Sequence, residues 1–133
     1  EHSHVPAALI RRFHEAKENG EPSVTVWGTG SPLREFMHVD DLADACIFLM
    51  QNYSEEGHIN IGSGQEISIA DFAKTVAKVT GFEGDLEFDT SRPDGTPRKL
   101  MDSTRLKALG WQAGIDLESG LANAYKAYVV NAR

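Results

Sequence analysis

The sequence predicts an α/β fold. Helical and extended patterns alternate along the chain, which is the pattern of that class. Apolar residues recur at spacings of three and four in the opening and closing segments. Between them stand short β-branched runs, Ser23-Val24-Thr25-Val26-Trp27 the clearest, closed by glycine.

Pro6 to about Asn19 is predicted helical: Val5, Leu9, Phe13 and Ala16 share a face, proline suits the first turn, and Gly20 ends the run. Ser23 to Trp27 is predicted as a strand, Gly28-Thr29-Gly30-Ser31-Pro32 as a turn, and Arg34 to Val39 as a return to extended chain. Asp40 and Asp41 offer an N-cap for a helix from Leu42 to about Gln51. Its Ala45-Cys46-Ile47-Phe48-Leu49-Met50 run is apolar on every side, which implies cover all round. His58 to Ile61 reads as a short strand closed by Gly62-Ser63-Gly64. Ser68-Ile69-Ala70-Asp71 has capping-box spacing ahead of a helix with Ile69, Phe72, Ala73, Val76 and Val79 on one face and Gly81 at its end. Asp85 to Phe88 is a predicted strand, Asp89 to Lys99 a loop, and Thr104 to Leu109 a short helix stopped by Gly110. Leu117, Leu121, Ala124, Tyr125 and Tyr128 stripe a final helix.

The chain of 133 residues has the length of one domain rather than two. It carries 20 acidic and 13 basic side chains for a net charge of −7, a balance that argues against nucleic-acid or anionic-membrane partners. No apolar run approaches the ~20 residues of a membrane span. A lone cysteine, Cys46, excludes an internal disulfide and fits a reducing, cytoplasmic setting. The first residue is Glu1 rather than Met, and the helical pattern starts without a lead-in, so the chain reads as a piece of something longer.

Gly28-Thr29-Gly30 and Gly62-Ser63-Gly64 both lack the third glycine and following helix of a dinucleotide fingerprint, and read as plain turns. His2, His4, His14, His38 and His58 do not cluster with ligand spacing, so no metal site is expected. The informative feature is the placement of positive charge. Arg11-Arg12, Arg34, Arg92 and Arg98-Lys99 lie near loops and helix starts of an otherwise acidic chain. Guanidinium groups beside Trp27 suit a diphosphate with a stackable base. The alternative is solvated arginines paired with Glu15, Glu35 and similar acids. His4 is open to two readings as well, a proton-exchanging imidazole or simply an exposed or capping residue before a helix. Asp94, within Pro93-Asp94-Gly95, reads by itself as a turn residue.

Longer words in the sequence narrow these choices. Ser3-His4-Val5 with Leu9-Ile10-Arg11-Arg12-Phe13-His14-Glu15-Ala16, then Val26-Trp27-Gly28-Thr29-Gly30, Arg34-Glu35-Phe36 and His38-Val39-Asp40-Asp41-Leu42-Ala43, resemble the extended short-chain dehydrogenases/reductases. Arg-Glu-Phe-x-His-Val-Asp-Asp is common to many nucleotide-sugar epimerases and dehydratases, whereas the His4/Arg12 segment and Asp94-Gly95-Thr96-Pro97-Arg98-Lys99 point to the GDP-sugar epimerase/reductases among them. The resemblance covers essentially the whole chain. It implies the C-terminal substrate domain of such an enzyme, built of small sheets and helices and binding a nucleotide sugar across residues 1–133. The N-terminal Rossmann domain, which binds NADP(H) and carries a Tyr-x-x-x-Lys pair and an epimerisation cysteine, is absent from this chain.

By position, the resemblance makes His4 the catalytic acid/base that works with that cysteine. It makes Arg12, Trp27, Arg34 and Asp94 substrate-binding, with no cofactor contact in this chain beyond the vicinity of His4. Pro6-Ala7 departs from the family pattern, so the helix is expected to begin one residue early and to displace His4 slightly. The segment 40–62 is expected to pack on the missing Rossmann domain and to leave an uncovered apolar patch here. A GDP-sugar substrate, no nucleic-acid or membrane partner, and a homodimer of the whole enzyme complete the expectation. Another nucleotide-sugar epimerase/reductase, or a non-catalytic nucleotide-sugar-binding module, remains as an alternative.

Overall fold

The computed structural model describes residues 4–131; Glu1, His2 and Ser3, the last of which carries part of the resemblance, lie outside the described residues, as do Ala132 and Arg133. Helix α1, Val5–Glu18, has His4 at its N-cap position and starts one residue ahead of Pro6, as the Pro6-Ala7 departure implied. It buries Leu9, Ile10, Phe13 and Ala16. Val5 stays exposed and Ile10 takes its place in the core, because Val5 fronts an open cavity rather than packed side chains. Strand β1, Ser23–Trp27, is followed by β2, Leu33–Glu35, and helix α2, Val39–Asn52. Strand β3, Glu66–Ser68, leads directly into α3, Ile69–Thr80. Strand β4, Asp85–Asp89, the short helix α4, Thr104–Ala108, and α5, Leu117–Asn131, complete the order.

The strands form two two-stranded sheets. β1 and β4 are parallel, in register from Ser23 opposite Asp85 to Trp27 opposite Asp89, and β2 and β3 are antiparallel. Two cores follow. The larger gathers Phe13, Val24, Val26, Phe72, Val76, Phe82 and Leu121 from α1, β1, α3, α5 and the turn after α3. Phe13 meets Phe82 edge-on at 5.4 Å, and Phe36 stacks on Phe72 at 4.0 Å. The smaller joins Ala45 of α2 to Leu106 and Trp111.

Ser68 caps α3, its hydroxyl accepting from the Asp71 amide at 3.1 Å, which is one half of a capping box. Gly81 closes that helix at φ 79°, where a side chain is strained. Three expectations need correction. The cap of α2 is His38 rather than an aspartate: its Nδ1 accepts from the Asp40 amide at 3.0 Å, which draws Val39 into the helix and stops the extended run at Glu35. Asp41 instead turns inward. It is 6% exposed and its carboxylate accepts from the amides of Gly114 (3.0 Å) and Ile115 (2.9 Å), fastening α2 to the segment before α5. His58 to Ile61 is not a strand, because among the described residues no strand pairs with it. Ile59 and Ile61 pack on the smaller core, and the Asn60 amide donates to the Asp102 carbonyl at 3.2 Å.

The apolar run of α2 buries only Ala45 fully. Ile47 is 57% and Met50 84% exposed, and Leu42 is exposed as well, so this helix carries large apolar side chains that the described residues leave uncovered. Asp41→Ala should cost about 2 kcal/mol in urea unfolding, since it removes the carboxylate that both amides share; a change within experimental error would show that the Asp41 bridge carries no stability.

Candidate functional site

Parallel pairing brings β1 and β4 to an end at the same edge, with Trp27 beside Asp89. The ladder runs one step further, the Gly28 amide donating to the Asp89 carbonyl at 2.9 Å. Gly28 and Gly30 then turn the chain at φ 89° and 78°. The turn is filled by a carboxylate: the Thr29 amide donates to Asp94 Oδ1 and the Thr29 hydroxyl to Asp94 Oδ2, both at 2.8 Å. A Cβ on Gly28 would lie 2.2 Å from Asp94 Oδ1, so glycine is required for the approach. The other Gly-x-Gly turn is occupied in the same manner, with the Gly64 amide donating to Glu35 Oε2 at 3.1 Å. Each turn spends an amide on an acid of the chain itself, which is why neither is a phosphate cradle.

Between this turn, α1 and the loop after β4 lies a cavity of about 310 Å³, at the lower end of the range for small-molecule sites. Its apolar wall is Val5, Ala8, Leu9, Val26 and Ile69. Its polar wall is Arg12, Trp27, Arg34 and Asp94, four of the five site residues expected from the sequence. They arrive from α1, the end of β1, β2 and the loop after β4, and parallel strand order is what brings them together.

The two arginines are held by backbone rather than by acids. Arg12 Nη2 donates to the Thr25 carbonyl, and Arg34 Nη1 to the Leu33 carbonyl at 2.8 Å. Arg34 also lies against Gly95, where a Cβ would stand 3.2 Å from Nη2. Among the described residues no carboxylate forms an ion pair with either. The other described arginines behave differently: Arg11 pairs with Glu15 at 2.9 Å, Arg92 with Asp89 at 3.9 Å, Arg98 with Glu66, and Arg105 with Glu55 at 3.5 Å. The surface ion-pair reading therefore holds for these, while Arg12 and Arg34 keep most of their five donors for something in the cavity.

Trp27 is 65% exposed at the cavity rim, and the Arg92 guanidinium lies over its ring, 4.6 Å from the centroid. Arg92 Nε is 3.9 Å from Asp89 Oδ2. The Ser91 hydroxyl, then the Ser91 amide and the charge of Arg92, hold the Asp89 carboxyl below the usual carboxylate range. An apolar wall, an exposed indole and two uncommitted guanidinium groups together suit a ligand with a flat aromatic part and a doubly charged anionic part.

His4 stands apart. It is exposed at the start of α1, its imidazole makes no capping hydrogen bond, and it does not line the cavity. Of the two plain readings, the exposed residue is the one observed, since the side chain makes no cap. What the sequence did not reveal is the Thr29–Asp94 clasp and the part played by Ile69, since neither has a periodicity or spacing that links residues so distant in the chain. Among the described residues no group of three or more His, Cys, Asp or Glu is placed to hold a metal ion, and no helix is long and apolar enough to cross a membrane. Asp94→Ala should cost about 1 kcal/mol and expose the Thr29 amide to hydrogen exchange; unchanged protection there would show that the clasp does not hold the turn.

Residues 1–62 match the NAD dependent epimerase/dehydratase family. GDP-L-fucose synthase 1 of Arabidopsis thaliana is 60% identical over 131 residues, which cover 98% of this chain and 41% of that protein. GDP-L-fucose synthase of Escherichia coli (strain K12) is 50% identical over 138 residues, covering 97% of this chain and 43% of that protein. The crystal structure of a GDP-L-fucose synthetase from Naegleria fowleri bound to NADP is similar with a TM-score of 0.90 at 28% identity, covering 98% of this chain and 41% of that one. The chain thus spans about two-fifths of the length of the curated relatives it matches. Over nearly its whole length the chain is homologous to a part of the GDP-L-fucose synthases.

Proposed function

We propose that this chain is the substrate-binding part of an NADPH-dependent epimerase/reductase that converts GDP-4-keto-6-deoxy-D-mannose to GDP-L-fucose. The observation that carries the reading is the cavity that collects Arg12, Trp27, Arg34 and Asp94 in a chain so similar to GDP-L-fucose synthases. Arg12 and Arg34 neutralise the diphosphate through guanidinium hydrogen bonds. Trp27 supplies a flat face for the base, and the apolar wall of Leu9, Val26 and Ile69 excludes water beneath it. Asp94 shapes the rim, and the second lone pairs of its oxygens remain for a ribose or guanine donor.

Epimerisation beside a ketone requires a proton to leave one face of the carbon and another to arrive on the opposite face. His4 supplies one of the two groups, and its exposed ring is free to turn toward a substrate seated next to α1. The second group, the family's cysteine, belongs to the part of the enzyme outside this chain; Cys46 is an exposed residue of α2 and does not line the cavity.

Neither Gly-x-Gly turn here offers a free phosphate cradle, since the turn amides of Thr29 and Gly64 are taken by Asp94 and Glu35. The reading therefore gives NADP(H) and the reduction to a Rossmann domain outside this chain. That domain also covers the apolar face of α2 within the segment 40–62, and the whole enzyme works as a cytoplasmic homodimer. Synthesis of a related GDP-deoxysugar, such as colitose, would use the same cavity and is separated by assaying the two keto-sugars.

In the full-length protein, Arg34→Ala should weaken GDP binding at least about tenfold by calorimetry. Equal affinity would refute the diphosphate role. His4→Asn should slow solvent-deuterium exchange into the keto-sugar by about a hundredfold or more and leave GDP affinity unchanged. A normal exchange rate in that variant would remove His4 from the chemistry.

A further inference from the structure

Arg92 has no place in the cavity wall, yet it is the residue that lies on Trp27. Its position is built rather than incidental. Trp27 and Asp89 are partners in the parallel ladder, so the carboxylate of Asp89 rises beside the indole. Ser91 donates to that carboxylate from both its amide and its hydroxyl, which fixes the acid, and Arg92 Nε lies 3.9 Å from the other carboxylate oxygen. The Arg92 amide donates to the Asp89 carbonyl at 3.2 Å, which ties the arginine's own backbone to the same strand end. The guanidinium carbon then sits 4.6 Å from the ring centroid. A chain of contacts runs from Ser91 through Asp89 and Arg92 to Trp27, all of it outside the cavity that Trp27 lines.

An indole that is largely exposed at a rim would sample several rotamers, and a base stacking on it would have to halt that motion. A guanidinium over the ring removes the cost in advance. We infer that Arg92 is a positioning residue for the aromatic part of the ligand: it holds Trp27 as a platform for the purine base and makes no direct contact with the diphosphate. This inference rests on the GDP-sugar reading of the cavity and adds to it a division of labour among the arginines. Arg12 and Arg34 serve the anion, and Arg92 serves the base.

The two halves of GDP separate this role from a simple counter-charge. In the full-length protein, GDP should quench the fluorescence of Trp27, with Trp27→Phe identifying that signal. Arg92→Ala should weaken GDP binding by about fivefold while leaving the affinity for inorganic pyrophosphate unchanged. Arg92→Lys should recover only part of the loss, because an ammonium keeps the charge but not the planar stack. Circular dichroism confirms that each variant is folded. Equal losses for GDP and pyrophosphate would make Arg92 an anion ligand and overturn the inference, as would GDP binding that is indifferent to Arg92→Ala. Failure of the unsubstituted protein to bind GDP would overturn the cavity reading and this inference together.

Discussion

The parallel pairing of β1 with β4 is the interaction on which the rest of the site depends. Antiparallel strands would carry the chain away from the edge at which its partner arrives; parallel ones end together. The register that sets Trp27 opposite Asp89 therefore also places the Gly28–Gly30 turn next to the loop after β4. Asp94 reaches Thr29 from that loop, and the loop then crosses to β2, where the Leu33 amide donates to the Pro97 carbonyl at 2.9 Å. Parallel strands need a long crossover, and here it includes α3, whose Phe72 and Val76 build the core beneath β1. One pairing thus positions three sides of the cavity, and α1 supplies the fourth.

Charge works locally in this molecule. The net charge of −7 describes a surface that repels polyanions, and it says little about a cavity with two arginines and one acid that is already hydrogen-bonded. What distinguishes Arg12 and Arg34 from the other described arginines is that no carboxylate pairs with them. A guanidinium docked on a backbone carbonyl is held in place without being neutralised, whereas one bridged to glutamate has its charge largely met. The same economy appears in the two Gly-x-Gly turns. Both bind an anion, and in both the anion is a side chain of this protein.

Most of the elements were legible because their signals are local. The strand Ser23–Trp27 and the helix that ends at Gly81 were readable to the residue, since β-branched runs, capping boxes and terminal glycines act within a few positions. His58 to Ile61 misled for a matching reason: a strand exists only with a partner, and its apolar residues went instead to the core around Trp111. The cap of α2 misled because aspartate and histidine both accept an amide proton, and burial of Asp41 under Gly114 and Ile115 is a contact across more than half the chain. Among the residues expected at the site, Arg12, Trp27, Arg34 and Asp94 followed from the family resemblance and line one cavity, while His4 does not; composition alone had left the surface ion-pair reading open. The clasp between Thr29 and Asp94 joins residues far apart in sequence and leaves no periodic trace.

The central claim is that this one cavity, and not the grooves beside Gly62–Gly64 or α2, receives the nucleotide. Hydrogen–deuterium exchange of the full-length protein with and without GDP tests it most directly. The account predicts new protection at Arg12, at Trp27 to Gly30, at Arg34 and at Asp94 to Gly95, with little change elsewhere in this chain. Protection confined to Gly62 to Gln65 and Ser103 to Ala113, the lining of the other polar groove, would contradict it.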